Sequence, residues 1–355
     1  MMDSTTDKKE VTAERSEYYA QLQTHSMAPL WENLNHLLTP EPKVKSVPHL
    51  WDYSELRTLL LESADVISAA EAERRVLMLE NPGLPGNCSI TESLYGGLQL
   101  IMPGEVAPAH RHSPAALRFI IEGSGAFTAV NGEKTYMEPG DFVITPSWTW
   151  HDHGHEGTEP VVWLDGLDIP LVRVIGSIFV EHYPDDQFPE GPPPGDSLSR
   201  YGNNMRPVGV MPEGLNSPIF SYPYDRSRET LDKLSKSTDL DPYHGLKLEY
   251  IDPTSGGPAM PTISTFLQLL PKGFKSESYQ STESLIYTPV EGAGTVTIGE
   301  GSNAVTYNWA GQDVFVVPCW YPHYFETIEE SVVFCFSDKV VQEKLGLWRE
   351  RRGNA

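Results

Sequence analysis

The sequence predicts an all-β protein, two barrels in tandem behind an N-terminal helical arm. Three observations carry that prediction. From Arg75 onward the chain divides into short apolar runs punctuated by Gly, Pro and Asn-Gly, the pattern of antiparallel barrels and sandwiches. The second half repeats the landmarks of the first. Three histidines in the first repeat stand at intervals that a barrel interior would bring together.

Taken in order, residues 1 to about 12 read as a solvated tail. Residues 15–38 predict one helix with Tyr18, Leu22, Leu30, Leu34 and Leu37 on its apolar stripe, stopped by Pro40 and Pro42. A second helix begins near Asp52, where Asp52 and Glu55 offer a capping box and Leu56, Leu59, Leu60 and Ser63 share a face. Together these make an arm over 1–74. Residues 75–182 form the first barrel, with runs such as GGLQLIMPGE, LRFIIEGSG and DFVITPSW. Prolines then crowd the stretch from Pro184 to Pro223, which predicts an irregular linker over 183–245 with a short helix near 227–237. The second barrel occupies 246–340. There FLQLLPKG parallels LQLIMPG, Glu291-Gly-Ala-Gly294 parallels Glu122-Gly-Ser-Gly125, and Gly311–Pro318 parallels Gly140–Pro146. Residues 341–355 remain as a C-terminal tail.

Composition narrows the partners. Against 49 Asp plus Glu stand 26 Lys plus Arg, a formal charge of -23. Such a surface repels nucleic acid and anionic lipid, so neither is an expected partner. Solubility or a saline habitat accounts for the acidity, and an anionic substrate needs a local cationic pocket. Cys88, Cys319 and Cys335 are too few for a disulfide framework or zinc site and read as buried small hydrophobes in a reducing cytoplasm. No apolar run of about 18 residues and no apolar leader is present, which predicts a soluble cytoplasmic chain.

The chemistry concentrates in one motif: Gly104, five residues, His110-Arg111-His112, then Gly140, five residues, Pro146, four residues, His151. Side chains two apart on a strand leave from one face, so His110 and His112 aim into the barrel together. His151, on a later strand, closes a three-nitrogen set suited to a first-row transition metal. Ala116 and Leu117 stand where many such barrels add a glutamate ligand. A six-coordinate ion would keep three positions, two for a chelating substrate and one for dioxygen, which is the stoichiometry an oxygenase needs.

Around this set, Arg118 lies six residues beyond His112, in phase with the interior, where it binds an anion or pairs with Asp141 or Asp165. His153, in phase with His151, is a candidate proton-transfer group, with a surface histidine as the alternative; His155 fits the surface better. Asp165 alternates with Trp163 and projects inward; Gln99 offers an amide from the preceding strand. Arg74 or Arg75 adds positive field, or the two are a solvated pair. Tyr95, Trp148 and Trp163 are candidate aromatic walls, or core. In the second barrel the pair region reads Glu277-Ser-Tyr-Gln-Ser281 and Pro322 aligns with His151, leaving His323 as a structural residue.

The two-part histidine spacing resembles the signature of a cupin barrel. The runs LQLIMPGEVAPAHRHSPAALRFIIEG, NGEKTYMEPGDFVITPSWTWHDHGH, WLDGLDIP and YIDPTSGGPAMPT further resemble those of gentisate 1,2-dioxygenases. That bicupin family includes salicylate 1,2-dioxygenase and 1-hydroxy-2-naphthoate dioxygenase, and the likeness runs from about Leu30 to Asp338. The resemblance implies two double-stranded β-helix (jelly-roll) barrels and Fe(II) held by His110, His112 and His151, with O2 as co-substrate. It implies that Arg118 engages a substrate carboxylate, that Arg74 and Gln99 orient the ring, and that His153 and Asp165 manage hydroxyl protons. Gentisate enzymes often carry alanine where Gly97 stands, whereas the salicylate enzyme has glycine there and tryptophan at the position of Tyr95; ring preference stays open. Gentisate, opened to maleylpyruvate, is the default substrate, and a homotetramer is the family's common assembly. The rivals are a cupin decarboxylase or isomerase using Mn(II) or Zn(II), and a non-enzymatic metal-binding bicupin.

Overall fold

The computed structural model describes residues 12–353. The chain divides into two compact units, Met1–Lys43 and Val44–Ala355. The tail expected over the first dozen residues lies almost wholly outside the described part.

In the first unit the single expected helix is two, Ala13–Thr24 and Leu30–Leu37. Ser26 takes a left-handed φ of 54° and Pro29 caps the second helix, so the apolar stripe is read across a break. Thr12 caps the first helix by accepting from Arg15 N–H. Glu32 then accepts from both Arg15 and Tyr19, tying one helix to the other.

In the second unit every strand pairing is antiparallel, and two barrels each contain a six-stranded and a five-stranded sheet. The first barrel's larger sheet runs Ser221–Tyr222, Phe142–Thr145, Ala116–Glu122, Val161–Leu167, Tyr95–Ile101, Arg75–Met78. Its smaller sheet runs Val180–His182, Val106–His112, His151–His155, Ala126–Val130, Glu133–Tyr136. The second barrel repeats this order, from His49–Trp51 to Leu246–Glu249 in one sheet and from Glu350–Arg352 to Val305–Trp309 in the other.

The two larger sheets bury one face inside their own barrel and the other against the neighbouring barrel. Leu117, Phe119 and Ile121 join Phe334, Phe336 and Val316 in one apolar cluster, whereas Ile120 and Val143 face the first barrel's interior. Phe119 stacks on Phe334 with centroids 4.1 Å apart. Burial on both faces explains why these strands read as continuous apolar runs rather than alternating ones.

Several segments depart from expectation. His49–Trp51, from the expected arm, pairs with Val314–Val317 of the second barrel. The proline-rich stretch contributes Ser221–Tyr222 to the first barrel, beside the edge strand Val180–His182 at the end of the expected barrel. The expected tail holds the strand Glu350–Arg352, which pairs with Tyr279–Ser281. Edge strands of two or three residues leave too little alternation to be read from sequence. The second helix is Tyr53–Val66; Asp52 caps it through Ser54 N–H, while the capping box with both arms forms further on, at Ser68 and Glu71. The linker helix is Tyr224–Leu234, its N-terminus held by Asp141, which accepts from Tyr224 N–H at 2.9 Å. Of the cysteines, Cys335 is buried, Cys319 half-buried and Cys88 exposed, so the expectation of three buried thiols holds for one.

Candidate metal centre and its cavity

The strand Val106–His112 sends His110 and His112 from one face, and His110 pairs directly across from His151. The three rings approach with centroids 4.1 to 5.4 Å apart, and one nitrogen from each lies within 4.8 Å of the others. Each Nδ1 faces a backbone carbonyl: Pro108 at 2.8 Å from His110, Pro114 at 2.7 Å from His112 and Thr149 at 3.0 Å from His151. A carbonyl only accepts, so all three rings carry the proton on Nδ1 and present a lone pair on Nε2. The Nε2 of His151 is buried with no hydrogen-bond partner. Burial and then neighbouring Arg74 push His110 down to about 3, and burial pushes His112 down to about 4. His151 is lowered for the same first reason. Neutral imidazoles with Nδ1–H anchored on carbonyls are what a divalent transition metal requires, so these residues fit the ion.

Beside them opens a cavity of about 330 Å³, within the range of small-molecule sites. Arg74, Tyr95, Gln99, His112, Arg118 and Asp165 line it, and Ile178, Phe179 and Val180 form an apolar lip. Ala116 lines the same wall, so the position of the missing glutamate is cavity surface. Gly97 lies against Tyr95: a Cβ there would stand 2.8 Å from Tyr95 Oη and from Val76 Cγ1.

Arg118 is almost fully buried at 4% exposure. Its Nη1 donates to Thr145 Oγ1 and its Nη2 to His153 Nε2 at 3.2 Å. Its Nε lies 3.7 Å from Asp165 Oδ1 without a hydrogen bond. Asp165 is therefore its ionic neighbour, whereas Asp141 serves the linker helix. Burial brings Arg118 down to about 10 despite Asp165, and lifts the Asp165 carboxyl to about 6 despite Arg118 and the Trp163 indole N–H, which donates to it at 3.0 Å. Both shifts have the sign expected when desolvation outweighs a loosely made pair.

Arg74 follows Glu73, whose φ of 53° turns the chain, and donates to His110 Nε2. Arg75 points the other way into a two-pronged pair with Glu105 at 2.8 and 2.9 Å, so the two arginines are neither equivalent nor a solvated pair. His153 is buried behind Arg118, 5.4 Å from Trp163 centroid to centroid. His155, expected at the surface, is also buried: its Nε2 donates to the Glu159 carbonyl and its Nδ1 accepts from Gly157 N–H. The polar run HDHGH is a strand flanked on both sides, which polarity alone does not reveal. Trp163 is core beneath the site, and Trp148 lies outside, over the Arg111 guanidinium. Sequence reasoning missed Thr145, Thr128, Val76 and the apolar lip. Thr145 was findable, being two residues from the inward-facing Val143 and directly before Pro146 of the motif.

The second barrel reproduces this framework with other residues. Tyr279 pairs with His323 as His110 does with His151, and Tyr287 with Cys335 as Arg118 does with Asp165. His323, not Pro322, thus occupies the third-ligand position. It stands five residues after Pro318, as His151 does after Pro146, and the extra residue lies earlier, around Gln312 at φ 76°. Phe266 takes the place of Gly97 and its ring fills the interior. A larger groove of about 710 Å³ on this barrel, lined by Lys275, Glu277, Glu300 and Arg351, carries mixed charge. Among the described residues the only metal-competent cluster is the first barrel's triad.

A family profile described as a cupin domain matches residues 97–167. The chain is 52% identical over 349 residues to gentisate 1,2 dioxygenase 1 from Aquipseudomonas alcaligenes, spanning 98% of this chain and 99% of that one. It is 34% identical to a 5-aminosalicylate 1,2-dioxygenase from a Comamonas species, over 92% of this chain and 87% of the relative. In three dimensions it is similar to the salicylate 1,2-dioxygenase of Pseudoaminobacter salicylatoxidans solved as adducts with gentisate. The TM-score is 0.91 at 31% identity, covering 100% of this chain and 98% of the other.

Proposed function

The chain belongs to the gentisate 1,2-dioxygenase family of bicupin oxidoreductases, and from that membership we propose that it opens gentisate between the carboxyl- and hydroxyl-bearing carbons to give maleylpyruvate. Both atoms of O2 enter the product. His110, His112 and His151 hold the cofactor, Fe(II). The observation that carries this reading is three histidines, each with Nδ1 on a backbone carbonyl and one nitrogen within 4.8 Å of the others, beside a cavity with two arginines, of which Arg74 meets His110 Nε2. Iron at that point supplies the one-electron chemistry that lets ground-state dioxygen react with an aromatic ring.

The protein's own groups do the rest. Arg118, with N–H groups still available on both terminal nitrogens, grips the substrate carboxylate as a fork. Arg74 adds a second cation from the facing wall, which matters in a chain of formal charge -23. Gln99 orients the ring, while Tyr95 and Gly97 shape its bed. Asp165, with its carboxyl near 6, is mostly ionised at neutral pH and accepts the phenolic proton, with His153 assisting from behind Arg118. Loss of that proton enriches the ring for oxidation, and the second hydroxyl of gentisate, para to the first, enriches it further.

Salicylate and 1-hydroxy-2-naphthoate form a second reading, favoured by the absence of a side chain at Gly97 beneath Tyr95. Division of labour between the barrels follows from the same reading: residues 75–182 carry the chemistry and 246–340 support it. We place the working enzyme in the cytoplasm as a homotetramer; no described helix is long and apolar enough to cross a membrane, and Val174, Ile175, Phe179 and Val180 are an exposed apolar strip suited to a subunit contact. Oxygen uptake by the Fe(II)-loaded protein, with ring opening followed by absorbance, tests the proposal. Gentisate should be the best of the three substrates, and no uptake with any of them overturns the reading.

A further inference from the structure

Behind the cavity runs a chain of hydrogen bonds whose direction is fixed by donor and acceptor chemistry. A guanidinium donates and never accepts, so the 3.2 Å contact from Arg118 Nη2 requires a lone pair on His153 Nε2. Neutral His153 therefore carries its proton on Nδ1, which donates to Thr128 Oγ1 at 2.9 Å. The Thr128 hydroxyl proton is left for Met137 Sδ at 3.4 Å. Thr128 and Met137 are fully buried, with His153 at 1% exposure, so no competing solvent contact loosens the order.

The second barrel acts as an internal control. By strand register Val296 stands in the place of Thr128, Phe325 in that of His153 and Tyr287 in that of Arg118. Trp309, opposite Gly294, stands where Met137 meets Ala126. All four members differ together in the barrel that lacks the histidine triad. Val296 is buried there without disturbance, so a valine at this point of the barrel is compatible with the fold.

We propose that Thr128, backed by the Met137 thioether, is a positioning residue. It holds His153 as the Nδ1-protonated tautomer, so that Nε2 accepts from Arg118 and aims the guanidinium at the substrate carboxylate. The last link rests on the role given to Arg118 above; the tautomer does not.

The test compares Thr128→Val, which removes the acceptor at nearly constant volume, with Thr128→Ser, which keeps it. Ring nitrogens of the full-length, zinc-loaded, 15N-histidine-labelled protein are read by solid-state NMR, with His153 identified by the signal lost in His153→Gln. Wild type and Thr128→Ser should show His153 protonated on Nδ1, and Thr128→Val should lose that single state. In the Fe(II) enzyme, Thr128→Val should raise KM for gentisate about tenfold while kcat stays within about threefold, with the serine variant close to wild type. An Nε2-protonated His153 in the wild type overturns the proposal whatever the Thr128 variants do. So does an unchanged KM in Thr128→Val, or a serine variant as impaired as the valine one. A wild-type enzyme that consumes no oxygen with any carboxylated phenol counts against the dioxygenase reading instead, because the tautomer is read without turnover.

Discussion

Replacing Arg118 by alanine removes the cation assigned to the substrate carboxylate. Two of its nitrogens are each engaged once in the protein and keep a further N–H, so the carboxylate stands to lose a two-pronged, charge-assisted contact. A hydrogen bond to a charged group contributes about 1.5–3 kcal/mol, and 1.4 kcal/mol is tenfold, so two at the lower bound raise KM about 10²-fold. A second effect follows from the neighbour. Arg118 is the main influence holding the Asp165 carboxyl down against burial, so its loss should carry that group above 6 and move the acidic limb of the rate profile to higher pH. The assay is initial oxygen consumption with gentisate from pH 5 to 9, set beside competitive inhibition by hydroquinone, the same ring without a carboxylate. Hydroquinone should bind variant and wild type within about threefold, since the lost contact is to the carboxylate alone. Arg118→Lys keeps the charge without the fork and should fall between the two. A KM within about threefold of wild type would return Arg118 to a purely structural pairing with Asp165, and an unmoved acidic limb would show that Arg118 does not set the Asp165 carboxyl.

Asp165→Asn should abolish the limb near pH 6: the wild-type carboxyl is raised by burial, so it is protonated and unable to accept a proton below that value and becomes competent above it, and kcat/KM against pH reads the difference. Gly97→Ala puts a methyl 2.8 Å from both Tyr95 Oη and Val76 Cγ1, forcing the wall inward; kcat/KM should fall about tenfold more for 1-hydroxy-2-naphthoate than for gentisate. Phe119→Ala opens a hole between the barrels and should cost about 3–5 kcal/mol in denaturant unfolding while leaving metal content intact, since the ring faces away from the histidines.

The site was legible in sequence wherever period-two alternation decides orientation. His110 with His112, and Tyr95, Gly97 and Gln99 on the preceding strand, come to one face for that reason alone. The repeat revealed the second barrel because turn glycines and prolines punctuate both halves at matching intervals. What alternation cannot supply is cross-strand register. The Thr128–His153 contact spans 25 residues and depends on two strands aligning, and His323 reached the third-ligand position through an inserted residue that shifted the apparent alignment. Short edge strands recruited from irregular chain, such as His49–Trp51 and Ser221–Tyr222, owe their structure to a neighbouring strand rather than to their own residues. The break at Ser26 is a backbone event inside an otherwise helical stripe, and the buried His155 is polar by composition yet enclosed by its partners.

X-ray absorption at the iron edge, on protein purified and loaded with Fe(II) without oxygen, tests the centre most directly. One iron per chain bound by three imidazole nitrogens and no other side chain, with retention lost in His110→Ala, is the predicted result. A fourth protein ligand, or full iron content in that variant, would contradict it.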